Sequence, residues 1–399
     1  MIRKILTQSA VLVLLNLIAG VMFYLFQIRA ATHLPVEDLG ELNVWLTYYM
    51  LALVLGQVAQ YWAVFSPISG VWQTRLKWIS WGVSFATVLF CLGLWRTELP
   101  EGFCGALVLA GIPSAILVQY WQGVSQSRQA FLFFGVVSFA LGLSRWVLAI
   151  PAADLKFFYL AIILATAVVL PIQLLNRKIF TQRAVEVASA QKYPVIFAVL
   201  TGLGWALLPS YDLLNIRYWV GSLETGTYSK LQLFSKILYF APVTLLQVTL
   251  PYYVQALKGE GSSEQAHSLR MIETLGWIAS YCGVGFFAVT GTWIAQHILG
   301  VQGLDAVDIV LSCLAVPPLY GLLSSLQIFA AAKKALWCAV LLGCVVGSMG
   351  ICAVVSWTSL HQYLVYSAAM NTSLGFIAWI MTRRWIQQIQ LKQADKKSL

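Results

Sequence analysis

Runs of about 20 uninterrupted apolar residues recur along this chain, separated by short polar connections. A helix needs about 20 residues to cross ~30 Å of hydrocarbon. Scanning with that length predicts twelve spans, at about 8–29, 42–65, 78–95, 103–124, 131–150, 157–175, 194–213, 228–250, 274–296, 306–330, 335–356 and 361–382. Inside lipid the backbone has no water to bond, so each span is expected to be a helix. The unbroken hydrophobicity argues against the alternating pattern of a membrane β-barrel. The first run, "AVLVLLNLIAGVMFYLFQI", is too long for a signal-peptide core and no A-x-A-like cleavage site follows it, so it is expected to remain as a span.

Composition agrees. Of 399 residues 60% are hydrophobic and only 10% charged, with a mean hydropathy of +0.78, against roughly 25% charged residues in a soluble domain. Assigning alternate connections to alternate sides separates the charges. One side collects 18 of the 25 Lys and Arg residues, and the other collects 10 of the 15 acids. Bases mark the cytoplasmic side, so both termini are expected there. The net charge of +10 then follows from topology and calls for no nucleic-acid partner. Seven scattered cysteines read as small buried hydrophobes. A Cys91–Cys104 bridge is conceivable, and no metal site or other cofactor is expected.

The chain also echoes itself. "FQIRAATHLPVEDLGEL" (26–42) and "LNIRYWVGSLETGTY" (214–228) each carry an amide, Ile and Arg, then an acid and a glycine. Pro67 follows Gly40 much as Pro251 follows Gly226, and "QGVSQSR" (122–128) parallels "QIFAAAK" (327–333). Three matches in order suggest duplication. Each half holds an even number of spans, so the repeats are parallel about an axis along the membrane normal. The expected fold is an all-α integral membrane protein with twelve transmembrane helices in two parallel six-helix bundles. The bundles are placed at 1–180 and 194–399, with a cytoplasmic linker at 181–193.

"LPVEDLGELNVWLTYYM", "LLPSYDLLNIRYWVGSLETGTYSK" and the "PYY" closing span 8 resemble the polysaccharide (O-antigen type) flippases. Those belong to the multidrug/oligosaccharidyl-lipid/polysaccharide (MOP) exporter superfamily. In that family an aspartate ends helix 7, an arginine follows and G-x-Y opens helix 8, which here look like Asp212, Arg217 and Gly226–Tyr228. Relatives are often basic along the first half's helix 2 or 4, where this chain has Gln57, Gln60, Gln119 and Gln122. The resemblance implies a central cavity between the bundles and a multi-pass protein of the bacterial inner membrane. It also implies a lipid-linked anionic oligosaccharide, undecaprenyl-pyrophosphate-borne, as the cargo. A polysaccharide polymerase and glycosyltransferases would be its partners, beside membrane lipid.

Such a cavity needs cations to offset the desolvation of a pyrophosphate. Arg145, Lys236, Arg29, Arg217 and Lys230 are the candidates. Arg145 lies 17 residues beyond Arg128 at the cytoplasmic turn and Lys236 lies well inside span 8, so both fall within the hydrocarbon. Arg29 and Arg217 stand at the outer rim in matching places. Snorkelling to the headgroups is the plain alternative for Arg145, Lys236, Arg29 and Arg217. Asp212 is a candidate for an ion pair or for coupling to protonation. Pro242 and Pro251 in span 8 free backbone carbonyls and are candidate hinges. Trp45, Trp72, Trp78, Trp81, Trp95, Trp357 and Trp385 fit an interfacial belt. Tyr48, Tyr49, Trp121, Tyr211, Tyr228 and Tyr239 are possible sugar-facing residues.

Other classes fit less well. A membrane polymerase or ligase needs room for chemistry in a large outer loop, and every outer connection here is short. The chain has no G-x-x-x-x-G-K-[ST] loop to bind ATP. A drug/cation antiporter of the same superfamily calls for carboxylates in the spans, where this chain places mainly bases.

Overall fold

The computed structural model describes residues 2–65, 70–95, 105–128, 130–175, 195–207, 211–255, 263–298, 304–355 and 357–398. The linker proposed at 181–193, Pro67 and Cys104 lie outside them; Cys91 is buried and free.

The described residues form helices and connections, with no strand. In the first half, α1 (Ile2–His33) is followed by α2 (Val36–Ala52) and α3 (Val54–Phe65), which together make span 2. Next come α4 (Gly70–Trp95), a 3-10 turn (Gly105–Gly111) leading into α5 (Ile112–Ser127), α6 (Phe131–Ala149) and α7 (Leu155–Leu175). In the second half, α8 (Val195–Leu207) and α9 (Tyr211–Trp219) occupy the region of span 7, and α10 (Ser222–Gln255) is span 8. Then follow α11 (Ser263–His297), α12 (Ala306–Leu314) with α13 (Val316–Ala331), α14 (Ala335–Val354) and α15 (Leu360–Ser398). The architecture is the expected one of two six-helix bundles around a central cavity.

Ten of these stretches are long and apolar enough to cross a membrane. The two that fall short are in spans 7 and 8. The first is the short apolar helix α8. The second is α10, which is long but carries Glu224, Lys230, Gln232, Lys236 and Gln247. A helix that lines a cavity and packs between neighbours has less need of an apolar surface all round.

Helix starts differ from the sequence expectation. Span 2 begins at Val36 and span 8 at Ser222, each one to two turns early. Their first turns hold Glu37 and Asp38, and Glu224. Acids that precede the expected span limits are stabilising there because they face the positive end of the helix dipole. Asp212 likewise does not end a helix. It sits in the first turn of α9, with Arg217 in the last turn. Gly226–Tyr228 therefore lie inside α10 rather than opening it.

The duplication is visible in the backbone. Helices α5 and α13 each have 16 residues, and their starts (112 against 316) and ends (127 against 331) are both 204 positions apart. The turns that follow match too, with Ala130 N donating to Ser125 O (2.8 Å) and Lys334 N to Phe329 O (2.9 Å). This register pairs Gln122 with Leu326, so the "QGVSQSR" and "QIFAAAK" alignment is one residue out.

The halves meet where α1 and α2 pack on α10 and where α3 packs on α8. Lipid provides little hydrophobic drive between helices, so close backbone approach matters. A side chain at Gly226 would run into the Val36 carbonyl oxygen, and one at Gly202 would come within 2.9 Å of Val58 Cγ2. Tyr61, Val64, Phe131 and Phe134 of the first half share one buried cluster with Phe197, Trp205, Leu250 and Tyr253 of the second.

Candidate functional site

Between the halves lies a cavity of about 380 Å³, with mostly apolar walls. The first half contributes α1, α2, α3, α5 and α6. The second contributes α8, α9, α10, α12, α13 and α15.

Two bases reach this cavity, one from each half: Arg145 on α6 and Lys236 on α10. The Arg145 guanidinium lies over the Phe23 ring, 5.7 Å from its centroid, and its Nε is buried without a hydrogen-bond partner. Neither base has a carboxylate within ion-pair distance among the described residues. An unpaired base at this depth is costly, by about 2.5–3.5 kcal/mol on insertion scales. Its placement on a cavity wall rather than against lipid accounts for how it is tolerated.

The other three candidate bases are not brought to this wall. Arg29 pairs with His33 Nε2 and donates to Ile150 O (2.9 Å), tying the end of α1 to the end of α6. Arg217 is exposed and Lys230 half-buried, and neither lines the cavity.

Asp212 does line it and is 8% exposed. It accepts hydrogen bonds from Tyr363 Oη (2.7 Å) and Tyr228 Oη (3.2 Å), whose rings meet edge to face at 6.5 Å. The first turn of α9 adds the favourable end of a helix dipole. Three helices, α9, α10 and α15, thus meet on one carboxylate. Tyr363 escapes sequence reasoning, because it stands 151 positions from Asp212 with no local motif to mark it.

Of the proposed sugar-facing aromatics, Tyr49, Tyr228 and Tyr239 line the cavity. Tyr48 is exposed, and Trp121 is buried with its Nε1 donating to Ser80 Oγ (3.0 Å). The side chain of Tyr211 lies outside the described residues. Gln57 and Gln119 reach the cavity. Gln60 instead donates to Gln126 Oε1 (3.2 Å) and Gln122 to Ser138 Oγ (3.3 Å).

Gln247 and Trp205 also line the cavity, and there the halves are hooked together. Helix α10 runs unbroken through Pro242 and Pro251. Pro251 has no N–H, so the Gln247 carbonyl one turn earlier has no helical donor. Gln126 Nε2, from the other half, donates to that carbonyl. Gln327 makes a second hook in the amide orientation that satisfies all its partners. It accepts from Tyr61 Oη (3.0 Å) and Trp205 Nε1 (3.2 Å) and donates to Leu246 O (3.2 Å).

No protein-family profile matches the chain, and no curated protein matches it. Solved structures do. An outward-facing multidrug resistance MATE family transporter of the MOP superfamily aligns at a TM-score of 0.66 and 13% identity, over 98% of this chain and 97% of that one. A MATE protein in complex with MaD3S aligns at 0.68 and 11%, over 98% and 97%. A MOP superfamily transporter from Pyrococcus furiosus, described as having a binding pocket of reverse polarity that suggests a different function, aligns at 0.62 and 13%, over 96% of each chain. The fold is therefore that of the MATE transporters of the MOP superfamily.

Proposed function

We propose that this protein is a flippase of the bacterial inner membrane, with both termini cytoplasmic. It moves a lipid-linked anionic oligosaccharide of the undecaprenyl-pyrophosphate type to the outer leaflet by alternating access. The observation that carries this reading is the pair of unpaired bases, Arg145 and Lys236, presented to one cavity by opposite halves. A pyrophosphate between them would receive charge-assisted hydrogen bonds, worth about 1.5–3 kcal/mol each. Rocking of the halves would carry it across, because each half holds one end of the grip. The hinge role belongs to α10, whose two prolines leave carbonyls free to change partners. A polymerase and glycosyltransferases would supply and consume the cargo.

The test is transport in proteoliposomes. A fluorescent undecaprenyl-pyrophosphate disaccharide should change leaflet in vesicles containing the protein and not in empty ones. Flux equal to that of empty vesicles would sink the proposal.

A drug/cation antiporter is the second reading. It is favoured by Asp212 on the same wall and by the multidrug resistance transporter among the structural neighbours. It predicts efflux of a lipophilic cation that stops in Asp212→Asn and survives in Lys236→Ala. The flippase reading predicts the reverse sensitivity to Lys236.

A further inference from the structure

The wall that would hold the anchor also bears on the sugar. This inference rests on the flippase reading. Arg145 and Lys236 bring two positive charges to the wall, which a pyrophosphate diester, with about two negative charges, would use up. The one other charged side chain among the described lining residues is Asp212, which has the wrong sign for an acid. A uronic or sialic acid in the same space would add a carboxylate with no cation to offset its desolvation.

The neutral groups on the wall point the same way. Asn16 on α1 is 8% exposed and its Oδ1 has no donor in the protein. Gln119 on α5 also has a buried Oε1 without a donor, and the buried Tyr239 hydroxyl on α10 has no partner. All three residues line the cavity. A buried acceptor left unpaired is costly. A pyrophosphate diester has only acceptor oxygens and cannot relieve Asn16 or Gln119. Both oxygens are sealed in packing here, Gln119 Oε1 against Gly56, and a sugar hydroxyl or an acetamido N–H can relieve them once the amides turn toward the cavity. The first half, which lacks bases on its spans 2 and 4, offers Gln119 on span 4 instead.

We propose that the part of the glycan seated in this cavity is uncharged, built of neutral hexoses or N-acetylated hexosamines. Asn16 and Gln119 turn toward the cavity to accept from its hydroxyl or amide hydrogens, while Arg145 and Lys236 hold the pyrophosphate.

The experiment uses the full chain in lipid nanodiscs and three probes on one polyprenyl chain. They are the bare pyrophosphate, the pyrophosphate bearing N-acetylglucosamine, and the pyrophosphate bearing glucuronic acid. Binding is read by tryptophan fluorescence. The neutral glycolipid should bind about tenfold tighter than the bare lipid, as one relieved acceptor implies, and at least tenfold tighter than the acidic one. Asn16→Leu and, separately, Gln119→Leu should bring the ratio of neutral to bare affinity towards one. Acidic and neutral probes binding alike, or the acidic probe binding tighter, overturns the inference and leaves the flippase reading standing. Binding of none of the three overturns both.

Discussion

The two halves share a frame and differ in chemistry. Helices α5 and α13 keep the same length and lead into the same turn. Span 2 is divided into α2 and α3 at Leu53, whereas its counterpart α10 is one helix of 34 residues. The first half places its base on its fifth span and the second on its second span, and only the second offers a carboxylate to the cavity. Duplication thus accounts for the scaffold, while the site was fitted separately in each copy. Charges are costly within lipid, so on the flippase reading two opposed single bases would grip an anion with fewer buried charges than a symmetric set of four would need.

The sharpest way to break this comparison is to disarm one half at a time. Arg145→Ala and Lys236→Ala should each cut glycolipid flux by at least about tenfold, the effect of losing one charge-assisted hydrogen bond. Arg145→Lys should keep part of the flux. Unequal losses, measured in proteoliposomes at matched protein content, would show which half dominates. Normal flux in both would remove them from the site.

Packing comes next. Gly226→Val should destabilise by about 1–3 kcal/mol, because a side chain there meets the Val36 backbone across the seam. Gly343→Ala on α14, with open space around it, should shift the unfolding midpoint far less. If both shift alike, close contact between the halves is not what Gly226 provides.

The hook should respond more mildly. Gln126→Leu leaves the Gln247 carbonyl unpaired, so the arrangement seen here should lose about 1–3 kcal/mol relative to one in which α5 and α10 have parted. Spin-label distances between α5 and α10 should then broaden or lengthen. Pro251→Ala returns an N–H to α10 and should weaken the same hook by competition. Unchanged distances in both variants would deny the hook any part in closure.

The smallest effect concerns Asp212. Tyr363→Phe removes its 2.7 Å donor and should cost about 1 kcal/mol in stability. A Tyr228→Phe change, at 3.2 Å, should cost no more. The reverse order would mean that Tyr228 is the principal clasp.

Much of the frame was legible in the sequence. Run length and the sidedness of charge were enough for the helices, because lipid leaves the backbone few alternatives. The same ruler put Arg145 and Lys236 at membrane depth, and both line the cavity. Helix starts were misjudged where acids cap a dipole, as at Glu37 and Glu224. The repeat alignment slipped by one residue at Gln122, since a glutamine and a base six later do not determine a backbone register. Residues whose importance is made by distant partners left no trace. Tyr363 clasps Asp212 from the last span, and Asn16 looks like one polar residue in a greasy helix. Gln126 matters because of a proline 125 positions away.

The mixed surface of α10 bears on how the chain is made. A segment with Glu224, Lys230 and Lys236 in its N-terminal half is a poor client for the insertion machinery, where each acid or base near the centre of a segment opposes entry by up to about 2.5–3.5 kcal/mol. Spliced alone into a test protein, it should stay largely outside the bilayer, and adding α11 behind it should restore entry. Biogenesis of the second half would then wait for α11, the ninth span of the chain, so that truncation just after α10 strands a polar helix that degradation can reach.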